Sequence, residues 1–215
     1  MSLVSTRNLD ALPGIDRLKS ILQALAILDA IMCPMRLLRL HFFNSNWASD
    51  EQVAEMHNGF GDSYCVLFNQ YGCFIKGFNH ESRMSTHGTH ISEIWPGIVD
   101  DLPEQFSSSM TKSSDSVFNI TFGIWRTYSG QSWLRGKIDF PVGPDPDGSE
   151  DLLYLIDGDP AKCQEYVEAC HGATVSIDSV RQLYDHVPLT DDLVKSFNPD
   201  MTVEKLSGEI KEIRY

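Results

Sequence analysis

Apolar residues first recur at helical spacing at Ile15, Leu18, Ile21, Leu22, Leu25, Leu28 and Ile31–Met32, and Pro34 ends the pattern. This predicts an amphipathic core helix over residues 15–33. "RLLRLHFFN", residues 36–44, is short, aromatic and β-prone, and reads as a strand. "SDEQVAEMHNG", residues 49–59, places Ser49 and Gln52 as a capping box and closes on Gly59, so it reads as a short helix. "SYCVLFNQYGCFIKGF", residues 63–78, consists of two apolar runs around Asn69-Gln70-Tyr71-Gly72, the pattern of a hairpin. "VFNITFGIWRTYSGQSWLRGKIDF", residues 117–140, repeats the design with Ser129-Gly130 at its turn. After a polar loop, "LLYLI" at 152–156 reads as a further strand. Asp159 then caps a helix with Pro160 in its first position, and Thr190 opens another that stops near Asn198-Pro199. Antiparallel hairpins flanked by helices, without strand–helix alternation, predict an α+β fold with a helical C-terminal third.

The most apolar stretch, "ILQALAILDAIMC" at 21–33, is too short to span a bilayer and is interrupted by Gln23 and Asp29. Arg17 and Lys19 precede it as in a signal peptide, but Asp10 and Asp16 lie upstream and no small-residue cleavage site follows. No membrane partner is therefore expected. A chain of 215 residues, 42% hydrophobic and without a Pro/Gly/Ser-rich linker, is expected to form one domain over residues 1–215.

Cysteines stand at 33, 65, 73, 163 and 170, an odd number with no C-x-x-C pair. That argues against a disulfide framework and a zinc ribbon, and for reduced, mostly buried thiols in a cytoplasm. Cys163 and Cys170, seven apart, share a helix face, and buried packing is expected for both. The net charge of −13 is unevenly placed: residues 1–90 carry 7 Lys/Arg against 8 Asp/Glu, and residues 91–215 carry 10 against 22. Such a surface repels phosphate backbones and excludes nucleic acid. It favours a basic protein partner.

"NSNW", "GDSYCVLFNQYGCFIKGFNHES", "WPGIVDDLPEQF", "DGSEDLL", "PLT" and "NP", in this order, resemble an uncharacterised family of bacterial soluble proteins. The resemblance covers roughly residues 20–215. It implies a bacterial cytoplasmic protein and assigns no catalytic residue.

The densest polar chemistry lies in "GFNHESRMSTHGTHISEIWPG", residues 77–97. Zinc needs three or four ligands converging at about 2 Å, often with two of them one helical turn apart. His80, Glu81, His87 and His90 supply ligand types, but their spacing is not that of a metalloprotease helix. Without metal, His80, Glu81 and Ser82 would form a polar cluster at a binding cleft walled by Phe78 and Trp95. In that arrangement Glu81, held by Arg83, Lys76 or backbone amides, would orient His80. "GDS" at 61–63 precedes its strand and has no distant Asp-x-x-His, so Asp62 and Ser63 read as a turn rather than a serine-esterase block. "DPDGSED" at 145–151 fails the calcium-loop register and reads as a solvated turn. No phosphate-binding glycine loop occurs. No residue is assigned a catalytic role and no cofactor is expected. The function this reading favours is a non-enzymatic cytoplasmic binding protein, resembling immunity and inhibitor proteins in its acidic surface. The alternative is a hydrolase, metal-dependent or not, built on His80, Glu81, His87 and His90.

Overall fold

The computed structural model describes residues 3–86, 93–107 and 119–215. A 3-10 turn at Leu9–Ala11 leads into α1 (Ile15–Met32), and a second turn at Arg36–Leu38 leads into the sheet. The strands are β1 (His41–Ala48), β2 (Glu51–His57), β3 (Ser63–Asn69), β4 (Gly72–Phe78), β5 (Phe122–Thr127) and β6 (Leu134–Arg135), with α2 (Glu104–Ser107) between β4 and β5. The chain then runs through α3 (Ser149–Leu152), α4 (Pro160–His171), α5 (Ile177–Tyr184), α6 (Asp191–Lys195) and α7 (Ser207–Ile213). The six strands pair in sequence order, every pair antiparallel. The fold is α+β, as expected. No helix among the described residues is long and apolar enough to cross a membrane.

Strand periodicity turns this register into two faces. On one, Phe43, Ala54, Val66, Ile75 and Ile124 stand opposite one another across five strands. They belong to the main core with α1 and the C-terminal helices. On the other face, Phe74 and Trp125 pack with Phe106 beneath residues 98–107. The central strand β4 is buried along its whole length.

Three elements differ from expectation. α1 is not amphipathic: every residue from Ile21 to Ile31 is buried, because the sheet covers one side and α5 and α7 the other. Residues 51–57 form β2 rather than a helix. Gln, Ala, Glu and Met suit a helix, but the segment lies between two partner strands, and those ladders override local propensity. Ser49 and Asp50 are the two-residue hairpin loop, with Ala48 opposite Glu51. "LLYLI" is helical turn rather than strand. Leu153 N–H donates to Ser149 O and Ile156 N–H to Leu153 O, turning the fully buried Leu153 and Ile156 toward the core. Short apolar runs do not distinguish the two periods.

The caps expected at Asp159 and Thr190 form: Asp159 accepts from Ala161 N–H at 2.9 Å and Thr190 from Leu193 N–H at 3.2 Å. Cys163 is fully buried, and burial pushes its thiol up to about 11. Cys170, at the end of the same helix, is exposed rather than buried.

Gly77 stands opposite Phe122, whose fully buried ring occupies the space a Cβ would fill. Gly77→Ala is therefore expected to push that ring off its rotamer and to destabilise the protein by about 1–3 kcal/mol. Urea unfolding at neutral pH measures it, and an unchanged midpoint would contradict this packing.

Candidate functional site

One residue row beyond the core row, the same sheet face carries His41, Met56 and Tyr64 side by side on β1, β2 and β3. Above His41 sits Asp29, near the end of α1, with no solvent exposure. Its Oδ2 accepts from the backbone N–H of Leu40 (3.0 Å) and of His41 (2.8 Å), and lies 3.1 Å from His41 Nδ1. Its Oδ1 accepts from the Tyr166 hydroxyl at 2.7 Å, while His171 Nε2 stands 3.8 Å away, beyond hydrogen-bond length. Burial by itself would raise the Asp29 carboxyl. The charge of His41 and the contacts from His171, His41 and Tyr166 outweigh that and hold it well below the usual carboxylate range. Tyr166 is pushed up by burial and by the Asp29 charge, so its phenol stays protonated as a donor. With Asp29 accepting at Nδ1, the imidazole of His41 has a fixed orientation.

Beside this cluster lies a cavity of about 190 Å³. Leu40, Met56, Leu152 and Leu155 give it an apolar wall. His41, Tyr64, Tyr154 and Tyr166 add rings, and Asn58 and Asp151 add polar groups. Tyr64 is buried, and its hydroxyl has no hydrogen-bond partner among the described residues. Burial, with the charge of Asp29 second, raises this phenol far above its ordinary value, so it remains an O–H. Tyr154 is held up at about 12, chiefly because its hydroxyl donates to Glu165 at 2.7 Å. Asp151 is raised by burial and by the charges of Asp145 and Asp62.

The residues singled out in the sequence lie on the far side of Asn58. His80 Nδ1 is 2.7 Å from Asp62 Oδ1, which also accepts the His80 backbone N–H at 2.8 Å. Asn58 Nδ2 donates to Asp62 Oδ2 at 2.7 Å. The carboxylate that orients His80 is thus Asp62. Glu81 is 84% exposed, with its Oε1 3.9 Å from His80 Nε2. Asp62 itself is buried beside the sheet, and its hydrogen bonds from His80 and Asn58 outweigh burial to lower its carboxyl. Ser82 accepts from Met84 N–H at 3.3 Å. Phe78 is buried at the end of β4, and Trp95 packs with Met84, Ile98 and Ile120 while its indole donates to Asp139 O at 3.2 Å. Of the metal-ligand set, His80 and Glu81 are neighbours, and His87 and His90 lie outside the described residues. No three His, Cys, Asp or Glu side chains among the described residues converge as a metal site.

The loop read as a solvated turn is also different. Asp147 is completely buried: Thr6 Oγ1 donates to its Oδ2 at 2.5 Å, and Ser149 N–H and Oγ donate to its Oδ1 at 3.0 and 2.7 Å. Burial raises its carboxyl despite these bonds. The network fastens the N-terminal arm to the start of α3.

Removing the charge at Asp29 leaves His41 and two backbone donors facing an amide. Asp29→Asn is expected to cost about 3–5 kcal/mol, the range for breaking a buried pair. Tyr166→Phe, which deletes one donor to a charged group, is expected to cost about 1.5–3 kcal/mol. Because the Asp29 carboxyl is lowered on folding, its contribution is present above the unfolded value of about 3.9 and is lost as pH falls below it. Urea midpoints measured from pH 7 to pH 3 should fall below about pH 4, and less steeply in Asp29→Asn. Equal slopes would remove Asp29 from the acid limb.

Compared with protein-family models, curated proteins and solved structures, the chain has no match.

Proposed function

We propose that this chain is a small-molecule-binding protein and that the cavity under Tyr64 is its ligand site. The observation that carries this reading is the wall itself: Leu40, Met56, Leu152 and Leu155 line a cavity of about 190 Å³ together with His41 and Tyr166, which both contact the buried Asp29 carboxylate. The setting suits the role. The wall is mostly apolar, a few polar groups converge on the space, and His41 and Tyr166 are locked by Asp29. A cavity on the order of 150 Å³ already holds benzene, so about 190 Å³ admits one ring with a short substituent.

A second reading is favoured by the placement of charge. The C-terminal helices and their turns present Glu165, Glu168, Asp178, Asp185, Asp191 and Asp192 to solvent. This face would engage a basic protein partner, as the acidic surface of an immunity or inhibitor protein does. A pull-down from the native cell at low salt is expected to recover a basic protein that dissociates as ionic strength rises. Recovery of none would end this second reading.

For the cavity, Leu155 lines the space, and Leu155→Trp would fill it. A one-ring fragment that raises the parent's unfolding temperature should bind the folded variant at least tenfold more weakly, or ~1.4 kcal/mol. Equal binding by parent and variant would place the fragment elsewhere, and the reading would fall.

A further inference from the structure

We infer that a second cavity, of about 310 Å³ between α1, the end of α7 and the β1–β2 hairpin, is a site for a free amino acid held by its carboxylate and its ammonium group together. It shares no lining residue with the cavity under Tyr64, so this site goes beyond the reading given above.

The two signs of charge come from different elements. Lys19 reaches the cavity from α1 and Arg214 from the residue that caps α7, whereas Asp50 and Glu51 belong to the hairpin. Burial lowers the Lys19 ammonium, Asp16 raises it and the Arg214 charge lowers it again, so the two cations act on one end of the space. Arg214 has a φ of 57°, in the left-handed region that a non-glycine residue seldom adopts, and its guanidinium donates to Asn46 Oδ1 at 2.8 Å. That bond fastens it to β1 without supplying a counter-charge. Neither Lys19 nor Arg214 forms an ion pair among the described residues, although Asp50 and Glu51 line the same cavity.

Opposite charges that line one space without meeting select for a molecule that carries both. A carboxylate alone gains Lys19 and Arg214 but faces Asp50 and Glu51. An ammonium alone gains the acids but faces the two cations. A zwitterion sets each group against its opposite, and the Arg214 fork suits a carboxylate. An amino acid adds a side chain for the rest of the wall. There Phe68, buried in the main core, and Tyr128, 53% exposed, supply rings, and Ser49 and Gln70 supply hydrogen-bonding groups. Arg214 and Asp50 are both exposed, and pairing with exposed charges is weak. Millimolar affinity is therefore expected, falling as salt screens the charges.

Phenylalanine and its two truncated forms decide the matter: phenethylammonium, which lacks the carboxylate, and hydrocinnamate, which lacks the ammonium. Each is titrated at neutral pH and low ionic strength into the isotopically labelled full chain, with backbone amide shifts as the readout. Phenylalanine is expected to move the amides of Lys19, Ala48, Gln70 and Arg214 and to bind at least about threefold more tightly than either truncated form. Arg214→Gln should weaken phenylalanine about two- to fivefold and leave phenethylammonium no weaker. Asp50→Asn, in the hairpin loop, should weaken phenylalanine by a similar factor and leave hydrocinnamate no weaker. If either truncated form moves these amides as readily as phenylalanine, one of the two charged groups is not recognised and the assignment is overturned. Unchanged phenylalanine binding in both variants would overturn it as well. If phenylalanine moves none of these amides at millimolar concentration, the site falls, while the cavity under Tyr64 stands or falls by its own test.

Discussion

A carboxylate with no access to water must be satisfied from within, and Asp29 is satisfied by three separate parts of the chain. It sits on α1, takes two backbone N–H groups and an imidazole from the start of β1, and takes a phenol from α4. None of these donors can be withdrawn without leaving a charge in a medium that solvates it poorly. α1, the start of β1 and α4 are thus tied to one another through one side chain. Apolar packing alone would let α1 rotate or slide over the flat row Phe43–Ala54–Val66–Ile75–Ile124. The carboxylate fixes which residue of α1 faces His41.

The same constraint makes the cavity. Beyond the core row the sheet presents His41, Met56, Tyr64, Gly77 and Phe122 in register. At the Gly77 end the Phe122 ring folds over the glycine and fills the space. At the other end His41 is turned by Asp29, Tyr166 is drawn to the same carboxylate, Leu152 arrives from the end of α3 and Leu155 from the turns after it. Those turns are set in place by Asp147, which ties Thr6 to Ser149. His41 and Tyr166 at this end are each held by Asp29, so these two rings do not relax into the space as an aliphatic core would.

Sequence patterning made the helix at 15–32, the β3–β4 hairpin and the caps at Asp159 and Thr190 legible, because each depends on residues within a few positions of one another. β2 was hidden by its own composition: Ser49, Gln52, Ala54, Glu55 and Gly59 all agree with a helix, and only the strands on either side decide otherwise. The cavity was hidden by distance, since Asp29 meets Tyr166 across 137 positions and Thr6 meets Asp147 across 141. One signal was present. Asp29 interrupts an apolar run and has neither Lys nor Arg three or four residues away on either side. A carboxylate at such a position, inside an otherwise apolar helix, requires a partner from another element. Local density of polar residues drew attention to 77–97, whereas the buried polar chemistry is spread over α1, β1 and α4.

The two regions are nevertheless joined. Asn58 lines the cavity, and its side-chain amide donates to Asp62, the carboxylate that holds His80 by ring and backbone. The Asn58 carbonyl is taken by the amides of Phe60 and Asp62, so the side chain has one orientation available that meets all of these partners. Two carboxylate–histidine pairs therefore flank the same space: Asp29–His41 within its wall, and Asp62–His80 one residue removed through Asn58. They differ in access to water. His41 is 7% exposed and His80 26%. The inner pair consequently sets the geometry of the wall, and the outer pair fixes the one polar side chain, Asn58, through which the loop at 79–82 reaches it.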